Sequence, residues 1–143
     1  FMIEIIYASA GRHLFTSKEL TDLLARARTN NQAAGVTGLL LYHRGSFLQV
    51  LEGEESVVQS LYERIEKDPR HNRCIVIKRS TVEERSFADW SMGFVEVSTA
   101  EANRLDGFNS FLQQGHLDLQ ARAEQIEKIL ERFRSGQWRQ HVT

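Results

Sequence analysis

Gln49 stands between Phe47 and Leu51, which strand alternation puts on one apolar face. A buried amide there costs roughly a few kcal/mol unless it is paired. It offers two N–H donors and one acceptor oxygen. Tyr7 ends a β-branched run that puts Ile3, Ile5 and Tyr7 on one face, so its phenol also needs a partner. Asn30-Asn31 and Asp68-Pro69-Arg70-His71 each follow an amphipathic stretch, and Trp90 and Met92 share one face of a late strand. Taken singly, these are a core tyrosine, a solvent-facing amide, two capped helix ends and a core stripe. Taken together, they outline a slot walled by Leu23 and Ile65 and rimmed by amides. Such a slot suits a flat apolar ring with donor and acceptor edges.

The elements that must position these groups follow from periodicity. Residues 2–8 read as a strand. Thr16 and Glu19 have capping-box spacing, and Leu20, Leu23, Leu24 and Ala27 form the apolar stripe of a helix expected to end near Asn30-Asn31. Val36 to Tyr42 and Phe47 to Glu52 read as a hairpin around a four-residue loop, His43-Arg44-Gly45-Ser46, with Gly53 breaking the second strand. Val57, Leu61 and Ile65 mark a second helix, stopped by Pro69. Cys74 to Lys78 and Trp90 to Val97 read as two further strands.

The order β-α-β-β-α-β-β predicts an α+β domain. It is the ferredoxin-like plan with one added strand and both helices on one face. Adjacent first and third strands would bring Tyr7 and Gln49 together. The sheet's second face is apolar too, through Leu48 and Val50, and needs a cover. Leu119, Ala123, Ile126, Leu130 and Phe133 repeat at 4-3-4-3 spacing, a seam that predicts C-terminal helices docking on that face or on a second subunit. The expected division is a domain over 2–97 and a helical extension over 98–143.

Composition narrows the function classes. The 143 residues carry 18 basic and 19 acidic side chains, a net charge of −1, so no field draws the chain to nucleic acid or anionic lipid. The lone cysteine, Cys74, excludes an intrachain disulfide and a cysteine-based zinc site. No apolar run approaches the roughly 20 residues of a membrane span. The start Met2-Ile3-Glu4-Ile5-Ile6, after a stray Phe1, has no basic leader, so a cytoplasmic location is expected. Two other functions fit the plan. One is a hydrolase of acylphosphatase type built on Arg12 and Asn31, although no glycine-rich phosphate loop, metal cluster or nucleophile–base pair accompanies them. The other is a cofactor-free binding module, for RNA for example, which calls for aromatic and basic residues on an open sheet face.

The motifs carry a resemblance. Tyr7-x-Ser9, Asn31 with Val36-Thr37-Gly38-Leu39-Leu40, Phe47-Leu48-Gln49-Val50-Leu51-Glu52-Gly53, Asp68-Pro69-Arg70-His71 and Arg85-x-Phe87-x-x-Trp90-x-Met92 occur in order over about 2–97. In this the chain resembles the BLUF domain, a blue-light receptor that uses flavin adenine dinucleotide. The resemblance implies no enzymatic turnover and a non-covalent flavin (FAD, with FMN or riboflavin as alternatives). It implies Asn31 on the pyrimidine edge, Gln49 between Tyr7 and the ring, and Leu23 and Ile65 sandwiching the ring. Ser9, Asn30, Asp68, Arg70 and His71 would line the rest. Tyr7, Gln49, Trp90 and Met92 would form the photoactive set. Some members carry a serine where this chain has Ala27, which removes one auxiliary hydrogen bond. With no cyclase or phosphodiesterase domain in the sequence, the output would pass to a separate signalling protein, from a homo-oligomer.

Overall fold

The computed structural model describes residues 1–88, 91–96, 105–106, 128–129, 131–133 and 135–136. The elements run β1 (Met2–Gly11), α1 (Ser17–Ala34), β2 (Thr37–His43), β3 (Ser46–Glu54), α2 (Glu55–Glu66), β4 (His71–Val82), β5 (Gly93–Glu96) and β6 (Leu105–Asp106). They form one sheet in the order β4-β1-β3-β2-β5-β6. The first four strands pair antiparallel in the ferredoxin-like arrangement, and β5 adds parallel to β2. The expected α+β plan holds, with the two-residue β6 as an extra edge.

Several boundaries differ from the sequence reading, each for a local reason. Helix α1 does not stop at Asn30-Asn31. It starts on the Thr16–Glu19 capping box and runs to Ala34, where Gly35 in the left-handed region (φ 70) donates to the Asn31 and Gln32 carbonyls. The two asparagines therefore lie inside the helix. The β2–β3 hairpin is tighter than a four-residue loop. Arg44 and Gly45 alone make the turn, both at positive φ, while His43 and Ser46 already pair. Gly53 stays within β3 opposite Ile3. Gly38 is the glycine that pairing requires, since a Cβ there would meet the Val50 carbonyl oxygen at 1.9 Å.

Helix α2 buries Val58 and Tyr62, and the predicted Val57-Leu61-Ile65 stripe is half-buried beside them. That rotation leaves Leu61 and Ile65 free to wall a cavity. Strand β4 begins at His71, before the expected Cys74, and shifts register twice against β1, with Arg73 at φ 53. Strand β5 starts only at Gly93.

Alternation sorts the core into two layers. On the helix side Ile3, Ile5, Tyr7, Phe47 and Leu51 pack with Leu20, Leu24, Val58, Tyr62 and Met92. On the other side Ala8, Leu39, Leu41, Leu48 and Val50 pack with Phe87 and Phe133, with Ile129 at the margin. Each such aliphatic or aromatic side chain contributes about 1.5–3 kcal/mol when fully buried. Phe133 thus covers the second face from the C-terminal region, as the seam predicted. Leu119, Ala123, Ile126 and Leu130 lie outside the described residues.

Candidate functional site

A cavity of about 170 Å³ opens between the two helices and the sheet. Its walls are Leu23, Ala27, Leu40, Phe47, Leu61 and Ile65, with Phe15 and Arg26 also contributing. Its polar lining is Tyr7, Ser9, Asn30, Asn31, Gln49, Asp68, Arg70 and His71. All ten residues expected from the sequence to bind a cofactor line this one space. Of the lining residues not assigned to the cofactor from the sequence, Arg26 and Ala27 were legible. They lie one helical turn from Leu23 and one turn before Asn30 and Asn31, so the pocket face of α1 is a single 3.6-residue stripe. Phe15 carried no such signal, because a loop delivers it.

Strand pairing sets the centre of the site. Tyr7 and Gln49 are direct cross-strand partners, and the Tyr7 hydroxyl donates to Gln49 Oε1. Gln49 Nε2 points at Met92 Sδ, 3.5 Å away, a weak acceptor. All three side chains are buried. Burial pushes the Tyr7 phenol well above its ordinary pKa, and Cys74, Tyr62 and Asp68 add to the rise. Tyr7 is therefore a neutral proton donor. Tyr62 packs edge-on to it at 5.2 Å between ring centroids.

The end of α1 holds the strap that delivers Met92. Asn31, 2% exposed, donates through Nδ2 to the Ser91 carbonyl at 2.7 Å. Arg28 Nε donates to the Met92 carbonyl at 2.9 Å. Asn31 can thus grip the strap with its N–H and still present its Oδ1 elsewhere. Trp90, expected on the same strand face as Met92, lies outside the described residues.

At the other end the Asp68 carboxylate accepts from Arg70 Nε at both oxygens, from Nη2 at Oδ2 and from the Arg70 backbone N–H at Oδ1. Those bonds hold the Asp68 carboxyl below its usual range. His71 Nε2 donates to the Ile65 carbonyl at 2.6 Å, which leaves Nδ1 as an acceptor, and the Cys74 thiol sits 3.2 Å from it. Burial lowers the His71 pKa and lifts the Cys74 thiol to about 11. Both are neutral near pH 7, and Cys74 is no nucleophile.

The hydrolase reading finds no site. Arg12 is outside the cavity, donating to the Pro69 carbonyl, while Asn31 is inside it. The sheet face that an RNA-binding module would leave open carries the buried Phe87 and Phe133. Among the described residues, no group of three or more His, Cys, Asp or Glu could hold a metal ion. No helix among them is long and apolar enough to cross a membrane.

The lining fits a flavin ring in chemistry: apolar walls for its faces, and amides, a carboxylate and a guanidinium at its edges. Comparison with known proteins agrees. Residues 2–93 match the family model described as BLUF, sensors of blue-light using FAD. Photoactivated adenylate cyclase subunit alpha of Euglena gracilis is 38% identical over 73 residues, 51% of this chain and 7% of that protein. The blue light- and temperature-regulated antirepressor BluF of Escherichia coli K12 is 30% identical over 97 residues, 68% of this chain and 24% of that protein. The chain thus spans under a tenth of the cyclase subunit and about a quarter of the antirepressor. Among solved structures, BlsA in its photo-activated state superposes with a TM-score of 0.62 at 33% identity, over 80% of this chain and 79% of that one. BlrB, a BLUF protein in its dark state, gives 0.67 at 27% identity, over 87% and 92%.

Proposed function

The chain belongs to the BLUF family, the sensors of blue light using FAD, and on that premise we propose that the cavity is its flavin site and that Tyr7 and Gln49 are its switch. The observation that carries this reading is the run Tyr7 hydroxyl, Gln49 amide, Met92 thioether along the cavity wall. When bound, the flavin supplies blue-light absorption and an excited ring able to accept an electron. Leu23 and Ile65 flank it, Asn31 and Asn30 hold one edge, and Ser9, Asp68, Arg70 and His71 line the remainder. The lining residues are mostly suited to the ring system, so FMN or riboflavin should also bind.

Tyr7 holds its proton at the hydroxyl, hydrogen-bonded to Gln49 Oε1, and burial keeps that proton in place in the dark. Gln49 is acceptor on one side and donor on the other. Reversal of its amide, by rotation or tautomerisation, exchanges those roles at Tyr7 and withdraws the N–H from Met92 Sδ, which has no proton to donate in return. Each neutral hydrogen bond contributes about 0.5–1.5 kcal/mol net, so rearranging two or three shifts a two-state equilibrium by roughly tenfold or more.

The chain then acts by changed protein contacts, with no substrate turnover. The 2–97 region senses and the 98–143 region passes the signal to a separate protein, within a homo-oligomer. The test is spectroscopic. The purified protein should carry non-covalent flavin and show a small reversible red shift under blue light, and Tyr7→Phe should keep the flavin and lose the shift. A colourless protein that also refuses added FAD sinks the proposal.

A further inference from the structure

Three residues beyond Gln49 on β3, the Glu52 side chain is fully buried on the opposite face of the sheet. Both of its oxygens are committed. Oε1 accepts from the Phe87 N–H at 2.6 Å and the Thr37 hydroxyl at 3.0 Å, and Oε2 accepts from the Ser86 N–H at 2.8 Å. Arg85 closes the knot. Its Nη1 donates to Thr37 Oγ1 and the Glu52 carbonyl, and its Nη2 to the Gly35 carbonyl at 2.7 Å. The backbone at 85–87 is thereby fastened to β2, β3 and the cap of α1.

A few residues later the same segment is fastened again, where Asn31 and Arg28 hold the Ser91 and Met92 carbonyls. Its two ends serve different layers. Phe87 belongs to the cluster with Phe133, and Met92 to the cluster with Tyr7 and Phe47. A segment pinned at both ends transmits displacement between the layers. The same segment left loose at one end absorbs it.

We propose that Glu52 is a positioning residue for the switch: its carboxylate fixes the backbone at Ser86 and Phe87, a few residues before Ser91 and Met92, and so couples Gln49, through Met92, to the packing of Phe87 and Phe133 on the other face. This rests on the photoreceptor reading of Tyr7 and Gln49. A carboxylate is required because both of its oxygens receive N–H donors, whereas an amide would set its own NH2 against one of them.

Glu52→Gln, nearly equal in volume, is the test. Flavin content and dark absorption should match the wild type, since no cavity residue changes. Dark recovery after illumination should be about tenfold faster, the factor that loss of one charge-assisted hydrogen bond permits. The light-minus-dark difference in hydrogen exchange around Phe133 should vanish. Val58→Ala, a cavity under α2, is the control for lost stability and should alter neither readout. Wild-type recovery together with a wild-type exchange difference in Glu52→Gln overturns the inference, as does the same acceleration in the control. A wild-type protein without any red shift overturns the photoreceptor reading as well. Should Glu52→Gln not fold, Thr37→Val loosens the same knot at a half-exposed position, and the same outcomes decide.

Discussion

Gln49 and Glu52 are polar side chains on one strand, both buried, on opposite faces of the same sheet. Their surroundings differ in kind. Gln49 makes one bond to a phenol and one long contact to a thioether, and could exchange donor for acceptor at modest cost. Glu52 receives two backbone N–H groups and a hydroxyl, and no other arrangement of a carboxylate satisfies all three. A switch needs two states of nearly equal free energy, and an anchor needs one. Burial alone does not distinguish them; the number and strength of the partners does.

The largest effect should come from removing the anchor. Glu52→Leu strands the buried Phe87 N–H, at about 1–3 kcal/mol for a buried unsatisfied group, and removes the acceptor of the half-buried Ser86 N–H and Thr37 hydroxyl as well. Chemical denaturation should register a loss of about 3 kcal/mol or more. A loss below about 1 kcal/mol would mean that water or a rearranged loop satisfies those donors, and the contrast with Gln49 would collapse.

Gln49→Leu should cost far less, about 1 kcal/mol by the same denaturation, because one neutral bond is lost and the leucine gains apolar burial. Flavin should stay bound while the light-induced red shift disappears. A normal red shift in this variant would make Gln49 a second structural amide, and only its location would then separate it from Glu52.

The smallest effect sharpens the comparison at the rim of the pocket. Burial lowers the His71 pKa from its usual 6.5. Between that value and the lowered one, the unfolded chain binds a proton that the folded chain refuses. Stability is therefore present above about pH 6.5 and lost as pH falls through the folded value. Glu4, raised by burial and by Glu52 beside it, has the opposite sign. Melting temperatures at about pH 7 and about pH 5 should accordingly drop less in His71→Asn than in the wild type. Equal drops would assign the acid sensitivity to other groups.

The sequence alone determined the element order, the two-faced core and the meeting of Tyr7 with Gln49. Those follow from period-2 and period-3.6 patterning, which is written locally in the chain. Patterning alone made Asn31, Asp68, Arg70 and His71 ordinary helix-end residues, and it was the resemblance to the BLUF motifs that marked them as site residues. Tertiary structure decided the rest. Helix α1 passes its asparagines because Gly35, four residues on, supplies the left-handed cap. Helix α2 turns Tyr62 inward because Tyr7 offers its ring an edge contact. Glu52 reads in sequence as an ordinary charge at a strand end. Its role appears only when a loop more than thirty residues away brings two backbone N–H groups to it. Backbone donors are identical at nearly every position of a chain. Which of them a carboxylate will meet is therefore a property of the folded path, and no side-chain pattern records it.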